Sequence, residues 1–193
     1  MADKKISQLN AATLPLAGTE QLAIVQGGET KKVSQSNLGF ISQLIRITTP
    51  STPITGTVAE TLLYKWEIAA NTFQANDYFK IENLRVATTG ASSSTNIRIR
   101  HSTNSVFSSS HNLLATASFT GQVTDRMISI DRRVSINSGS LKVFSSTNAV
   151  TDGSTSAIVT SSFDHTIINY IYFSIEPGAT SNVMYLMNLI INR

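Results

Sequence analysis

Cysteine is absent from this chain of 193 residues. That excludes a disulfide framework and any thiolate metal site. Charge is scarce: Asp, Glu, Lys and Arg make up 14% of the residues, against about 25% in an ordinary globular chain. Proline occurs 4 times and aromatic residues make up 7%. No apolar run approaches the ~18–20 residues that a membrane helix needs. The opening residues Met1 to Lys5 are polar and charged, without the apolar stretch of a signal peptide. The net charge of +3 is weak, and the basic pairs Lys4-Lys5, Lys31-Lys32 and Arg132-Arg133 are scattered. Neither nucleic-acid binding nor membrane insertion is expected on this evidence.

What is present is β-forming. Ser (26), Thr (23) and Asn (14) make up about a third of the chain, beside 20 Ile and 11 Val. Such residues suit pleated, half-buried surfaces. The 41% of hydrophobic residues suffices for one packed core, so composition excludes both a helical bundle and a disordered tail.

The first ~45 residues read differently from the rest. Leu22, Ile24 and Val25 lie in a short run before Gly27-Gly28, and a second run follows from Glu29 to Ser34. Two short runs around Gly-Gly predict a hairpin, because glycine tolerates the positive φ of a tight turn. Leu38, Ile41 and Leu44/Ile45 then recur at helical spacing, which predicts a short helix with one apolar face. A helix of ~10 residues is marginal alone, so its stripe must pack on the next domain or on copies of itself. Pro50 and Pro53 suggest a linker over residues 46–56.

From residue 57 onward the period is two. Predicted strands run over 62–70, 78–87, 96–101, 113–119, 127–136, 141–145, 156–160, 166–175 and 185–192, separated by Ser, Thr, Asn and Gly. The apolar phase changes inside the second of these, between Ile81 and Leu84, which predicts a bulge. Strands at this spacing predict an all-β, jelly-roll-like β-sandwich over residues 57–193, preceded by a short N-terminal hairpin/helix segment. The run 166–175 is apolar on both faces. Ile168, Tyr170 and Tyr172 oppose Ile167, Ile171, Phe173 and Ile175. Sandwich strands ordinarily wet one face. A subunit interface at Ile168, Tyr170 and Tyr172 is the preferred reading, and cover by a loop or by the N-terminal segment is the alternative.

The chain offers little catalytic chemistry. His101, His111 and His165 have no metal-ligand spacing, and His101 and His111 flank a Ser-rich stretch that reads as loop. Asp77 and Asp164 sit where strands begin, as turn-forming Asp residues do. No G-x-S-x-G elbow or phosphate loop occurs. No enzyme activity, metal or cofactor is expected. Trp66, Tyr64, Tyr78 and Phe79 could line a carbohydrate groove, but Tyr64 and Trp66 share an apolar face with Leu62 and Ile68, which favours core packing.

Two stretches carry a resemblance. In the leader, Lys5-Ile6-Ser7-Gln8-Leu9 is followed by Gly18 and Glu20, then Val25-Gln26-Gly27-Gly28, Thr30 to Lys32, and Leu38. The second is Ile68-Ala69-Ala70-Asn71-Thr72-Phe73, with a new strand beginning after Asp77. The first stretch resembles the leader of tailed-phage fibre and head-decoration proteins. The second is similar to the opening of jelly-roll domains in phage fibres. The leader match spans about 35 residues, under a fifth of the chain. The resemblance implies a non-enzymatic virion protein, made in the host cytoplasm. It would be a homotrimeric head fibre, as in crAss-like phages, or a tail-fibre receptor-binding protein. Ile6, Leu9, Leu22, Ile24, Val25, Gly27 and Gly28 would anchor it to other capsid or tail structural proteins. Leu38, Ile41, Leu44 and Ile45 would join Ile168, Tyr170 and Tyr172 in the trimer interface. A host cell-surface glycan is the ligand such a protein would meet. A free-standing carbohydrate-binding module and a depolymerase spike are the competing readings.

Overall fold

The computed structural model describes residues 21–26, 29–34, 43–120, 126–137, 139–144 and 158–193, the stretches up to 34 and residue 144 by backbone course only. The chain divides into two compact units, Met1–Ser42 and Gln43–Arg193. In the first, β1 (Gln21–Gln26) and β2 (Glu29–Ser34) form the expected antiparallel hairpin, in register from Gln21↔Ser34 to Gln26↔Glu29.

The second unit is a β-sandwich of ten antiparallel strands, with no helix among the described residues. They are β3 (Gln43–Ile47), β4 (Thr61–Ile68), β5 (Tyr78–Thr89), β6 (Ser94–Ser102), β7 (Asn112–Thr120), β8 (Arg126–Asn137), β9 (Ser140–Phe144), β10 (Ile158–Ser162), β11 (Asn169–Glu176) and β12 (Val183–Asn192). One sheet has the order β10-β9-β8-β5-β12-β3 and the other β4-β11-β6-β7. Set aside the β9–β10 hairpin and count the remaining eight strands in chain order. The sheets then read first-eighth-third-sixth and second-seventh-fourth-fifth. A long antiparallel ribbon pairing first with eighth, second with seventh, third with sixth and fourth with fifth gives that order when wound on itself. This is the jelly-roll winding, and β9–β10 extends its β8 edge.

The core lies between the sheets. Phe79, Ile81, Leu84 and Val86 of β5 meet Ile97 and Ile99 of β6 and Ile171, Phe173 and Ile175 of β11, all essentially buried. Trp66 packs edge-on against Phe73 and Phe79, at centroid distances of 6.1 and 5.1 Å. The β5–β8 register shifts between Ile81 and Leu84, where the apolar phase changes. A second bulge, opposite Phe173/Ser174, corrects one expected face. Tyr64 pairs with Phe173 but Leu62 with Ser174, so Leu63 instead of Leu62 packs against the core.

Three further expectations are corrected. Leu44 and Ile45 lie in strand β3, not in a helix. Ile45 pairs with Ile191 and Ile47 with Leu189, and both Leu44 and Ile45 pack against the sandwich core. The spacing of Leu44, Ile45 and Ile47 fits either period, and pairing with β12 settles it. Residues 46–56 are not a free linker either. Ser51 N–H bonds to Leu186 O at 2.9 Å, and Ile54 exchanges two backbone bonds with Met184, at 2.7 and 2.9 Å. The sandwich therefore begins at Gln43 rather than residue 57. The expected strand 166–175 starts only at Asn169. Asp164 Oδ1 accepts the Thr166 N–H and hydroxyl, and Asn169 Nδ2 donates to the carbonyls of Asp164 and Ile167. These bonds hold residues 164–168 in a turn that leaves Ile167 and Ile168 exposed.

The apolar outer face of β11 has an intrachain cover. The loop 103–111 between β6 and β7 folds back over it. Tyr172 donates its hydroxyl to Asn104 O and is fully buried. Its ring lies against His111 (5.3 Å, nearly parallel) and Phe107 (5.6 Å). Lys65 Nζ donates to Ser105 O and sits 5.4 Å from the Tyr170 ring centroid. Tyr172 has no surface left for a partner, and Tyr170 is 8% exposed. Of the interface residues expected on β11 and the turn before it, Ile168 alone remains open, at 43%.

Candidate functional site

Two polar clusters are structural in character. Glu60, just before β4, accepts from Arg98 Nη1 at 3.0 Å, Arg100 Nε at 2.6 Å, Arg100 Nη2 at 2.7 Å and Ser174 Oγ at 2.6 Å. Arg98 Nη2 also reaches Glu176 Oε2 at 2.6 Å. Burial pushes the Glu60 carboxyl up, but the Arg100 and Ser174 bonds and the two guanidinium charges outweigh it and hold it below the usual carboxylate value. All these side chains are committed to one another across the outer face of the four-stranded sheet.

The second cluster aligns a serine, a histidine and an asparagine. His101 lies 2.9 Å from Ser161 Oγ through Nδ1 and 3.0 Å from Asn169 Oδ1 through Nε2. Asn169 spends its amide N–H groups on two carbonyls, so its oxygen faces the ring and accepts. The ring is then the neutral Nε2–H tautomer, and Ser161 donates to Nδ1. Burial lowers the His101 pKa below its ordinary value. The spacing resembles that of a nucleophile and its base. Yet Ser161 is 4% exposed and His101 2%, and Asn112 Nδ2 donates to the same Oγ at 3.1 Å. This is a satisfied core network, although His101 borders the Ser-rich loop in sequence. Sequence reading missed it because Ser161 comes from the other sheet.

An open site lies at the start of β5. Asn76, Asp77, Tyr78, Arg133, Ser135 and Asn137 line a shallow pocket of about 290 Å³. The fold builds it simply. Asn76, at φ 72°, turns the chain into β5. Asp77 caps that turn by accepting the Gln74 N–H at 2.8 Å, as its position suggested. Arg193 Nη2 reaches the same oxygen of Asp77 at 2.7 Å. Strand alternation then sends Phe79 into the core and leaves Tyr78 outside, 56% exposed. Of the four aromatics weighed for a groove, Trp66 and Phe79 are core, Tyr64 is half-buried against Phe173 at 6.3 Å, and Tyr78 is free. A second hollow of about 430 Å³ is bordered by Thr103, Gly139, Ser162, Phe163, Asp164 and His165. Among the described residues no group of three or more His, Asp or Glu is placed to hold a metal ion. No helix among them is long and apolar enough to cross a membrane.

The expected anchor residues Leu22, Ile24 and Val25 lie on β1, where only the backbone is described. Ile6, Leu9, Gly27, Gly28, Leu38 and Ile41 lie outside the described residues.

No protein-family model matches the chain, and no curated protein matches it. Several solved structures are distantly similar. One is a candidate sugar-binding protein from Bacteroides thetaiotaomicron, at 11% identity and a TM-score of 0.36, covering 82% of this chain and 85% of that one. Another is the β-fructofuranosidase of Schwanniomyces occidentalis, at 9% identity and a TM-score of 0.30, covering 89% of this chain and 38% of that one. Neither likeness is strong enough to support an argument about function.

Proposed function

We propose that this chain is a non-enzymatic display protein of a phage particle, a head fibre or a tail-fibre component. The N-terminal unit attaches and the jelly roll presents a surface. The observation that carries this reading is the division between Ser42 and Gln43. It falls just after Leu38, where the stretch resembling phage-fibre leaders ends. Attachment and display would then reside in different units of the chain, as an appendage requires. The carboxylates support the non-enzymatic part. Among the described carboxylates, Glu60, Glu82 and Glu176 are engaged in ion pairs, Asp164 holds a turn and Asp77 does both, while Glu67 and Asp131 lie apart on opposite outer faces. The test is incorporation into particles. Deleting residues 1–42 should abolish decoration while the remaining chain stays folded by circular dichroism. Normal decoration by the truncated chain overturns the anchor.

A free-standing carbohydrate-binding module is the second reading. The pocket at Tyr78 favours it, because an exposed ring beside amide and charged groups suits a sugar. It predicts that residues 1–42 are dispensable for every activity of the chain.

A further inference from the structure

The two outer faces of the sandwich differ in charge. On the four-stranded sheet, Lys65, Arg98 and Arg100 are balanced by Glu60, Glu67 and Glu176, and four of these six are locked in ion pairs. The outer face of the six-stranded sheet is unbalanced. Lys80 is paired with Glu82, and Arg193 with Asp77. Arg46, Arg85, Arg133 and Lys142 project there with no ion pair among the described residues, against Asp131 as the one carboxylate likewise without one. The chain is poor in charge, so this excess is local rather than a general surplus.

The register gathers part of that excess around the exposed aromatic. Tyr78 pairs with Ser135, and Ser135 with Lys142, so the three form one row across β5, β8 and β9. Row neighbours have Cβ atoms about 5 Å apart. Arg133 and Lys80 form the next row on the same face, about 7 Å along the strands. The Tyr78 ring, the Lys142 ammonium and the Arg133 guanidinium thus belong to neighbouring rows of one face. Arg133 and Tyr78 line the pocket itself.

We propose that this face binds an acidic saccharide, one bearing a carboxylate on its sugar ring, with Tyr78, Arg133 and Lys142 as its contacts. The Tyr78 ring covers the C–H face of a pyranose. The Arg133 fork takes the ring carboxylate in bidentate fashion, and Lys142 adds a point charge. Asn76, Asn137 and Ser135 offer neutral partners to the hydroxyls. Both bonds to the Asp77 carboxylate fall on Oδ2, which leaves Oδ1 to accept from a sugar hydroxyl. The same carboxylate repels any anion close to it, so the ligand's own carboxylate must lie toward Arg133 and its hydroxyls toward Asp77. A carboxylated sugar, with hydroxyls on every ring, fits this mixture better than a nucleic acid.

The inference deepens the display reading and rests on it only for the source of the glycan. Its test uses the purified full chain, so failure here leaves particle attachment untouched, and the reverse holds as well. Affinity electrophoresis through gels containing polygalacturonate, alginate, polysialic acid, dextran or polyphosphate reads the binding. The chain should be retarded by at least one carboxylated polymer and not by dextran. Arg133→Gln and Tyr78→Ala should each weaken that retardation about tenfold. Lys65→Gln, on the opposite face, should leave it unchanged. Both target side chains are exposed, and a thermal melt confirms the fold of each variant. Retardation by none of the three carboxylated polymers overturns the proposal. So does equal retardation by polyphosphate that Tyr78→Ala leaves intact, since that is plain adsorption of a polyanion.

Discussion

Glu60 lies outside any strand, yet it receives four charged or hydroxyl donors and its side chain is only 5% exposed. Its loss would leave the largely buried Arg100 guanidinium without its carboxylate. Glu60→Gln is expected to cost about 3 kcal/mol, the scale for breaking a buried ion pair, measured by urea denaturation at pH 7. A loss below about 1 kcal/mol would show the cluster to be a screened surface feature. His101 gives the second expectation at this scale. Its folded pKa is lowered from 6.5 by burial, so the unfolded chain binds the proton more readily. Its stabilising contribution is full above pH 6.5 and is lost as pH falls from there toward the folded value. Glu60, also lowered, adds a loss of the same sign below the ordinary carboxylate range. His101→Gln should flatten the stability profile just below pH 6.5, read as melting temperature against pH. An unchanged slope in that window would mean that another group titrates there. None of this was legible beforehand. The ring sits beside a Ser-rich stretch in sequence, and its partners lie 60 and 68 residues away.

Strands are the level at which sequence spoke most clearly. Alternation in β4 to β8 marks their faces because each has one dry side and one wet side. The β5 bulge showed as a change of phase. Two elements resisted. Strand β3 has five residues, too few for period two to outweigh period 3.6, and its partner β12 lies at the other end of the chain. The two-sided apolarity of β11 was visible, but its cause was not. The covering loop 103–111 is rich in Ser and has no periodicity of its own. Tyr172 fastens that loop through its hydroxyl and its stacking on His111 and Phe107. Tyr172→Phe keeps the rings and removes one bond to Asn104 O. It should cost about 1 kcal/mol and speed amide exchange within 103–111 more than in β6 or β7. Uniform acceleration everywhere would deny the loop any local role. Gly90 marks the end of β5 differently. It has φ 126°, and a Cβ there would lie 2.6 Å from Ser181 O. Gly90→Ala combines strain with a backbone clash and is expected to cost at least 2 kcal/mol.

Two features belong to the whole molecule: its division into two units and its unequal outer faces. The second could not be read from composition, because the same few charges spread over both sheets would give the same net value. It needs the register, which places Lys142 and Tyr78 on one row from positions 64 apart. The division bears on assembly. The interface expected from sequence drew on Leu38, Ile41, Leu44, Ile45, Ile168, Tyr170 and Tyr172. Leu44 and Ile45 are now spent on the sandwich core and Tyr172 on the covering loop. Trimerisation, as proposed for a fibre, therefore falls to the unit before Gln43, where Leu38 and Ile41 lie. All ten strands of the two sheets lie from Gln43 onward, with β3 pairing to β12. Residues 43–193 alone are then expected to fold and to melt cooperatively, close to the full chain, because every described strand of the sandwich lies in them. By light scattering the full chain should have a mass near three times 20.9 kDa, while the truncated chain should be a monomer. A truncated chain that remains trimeric would place the interface on the sandwich surface, with exposed Ile168 as the first residue to substitute. A monomeric full chain would remove the trimer and leave the attachment role to be decided by particle incorporation alone.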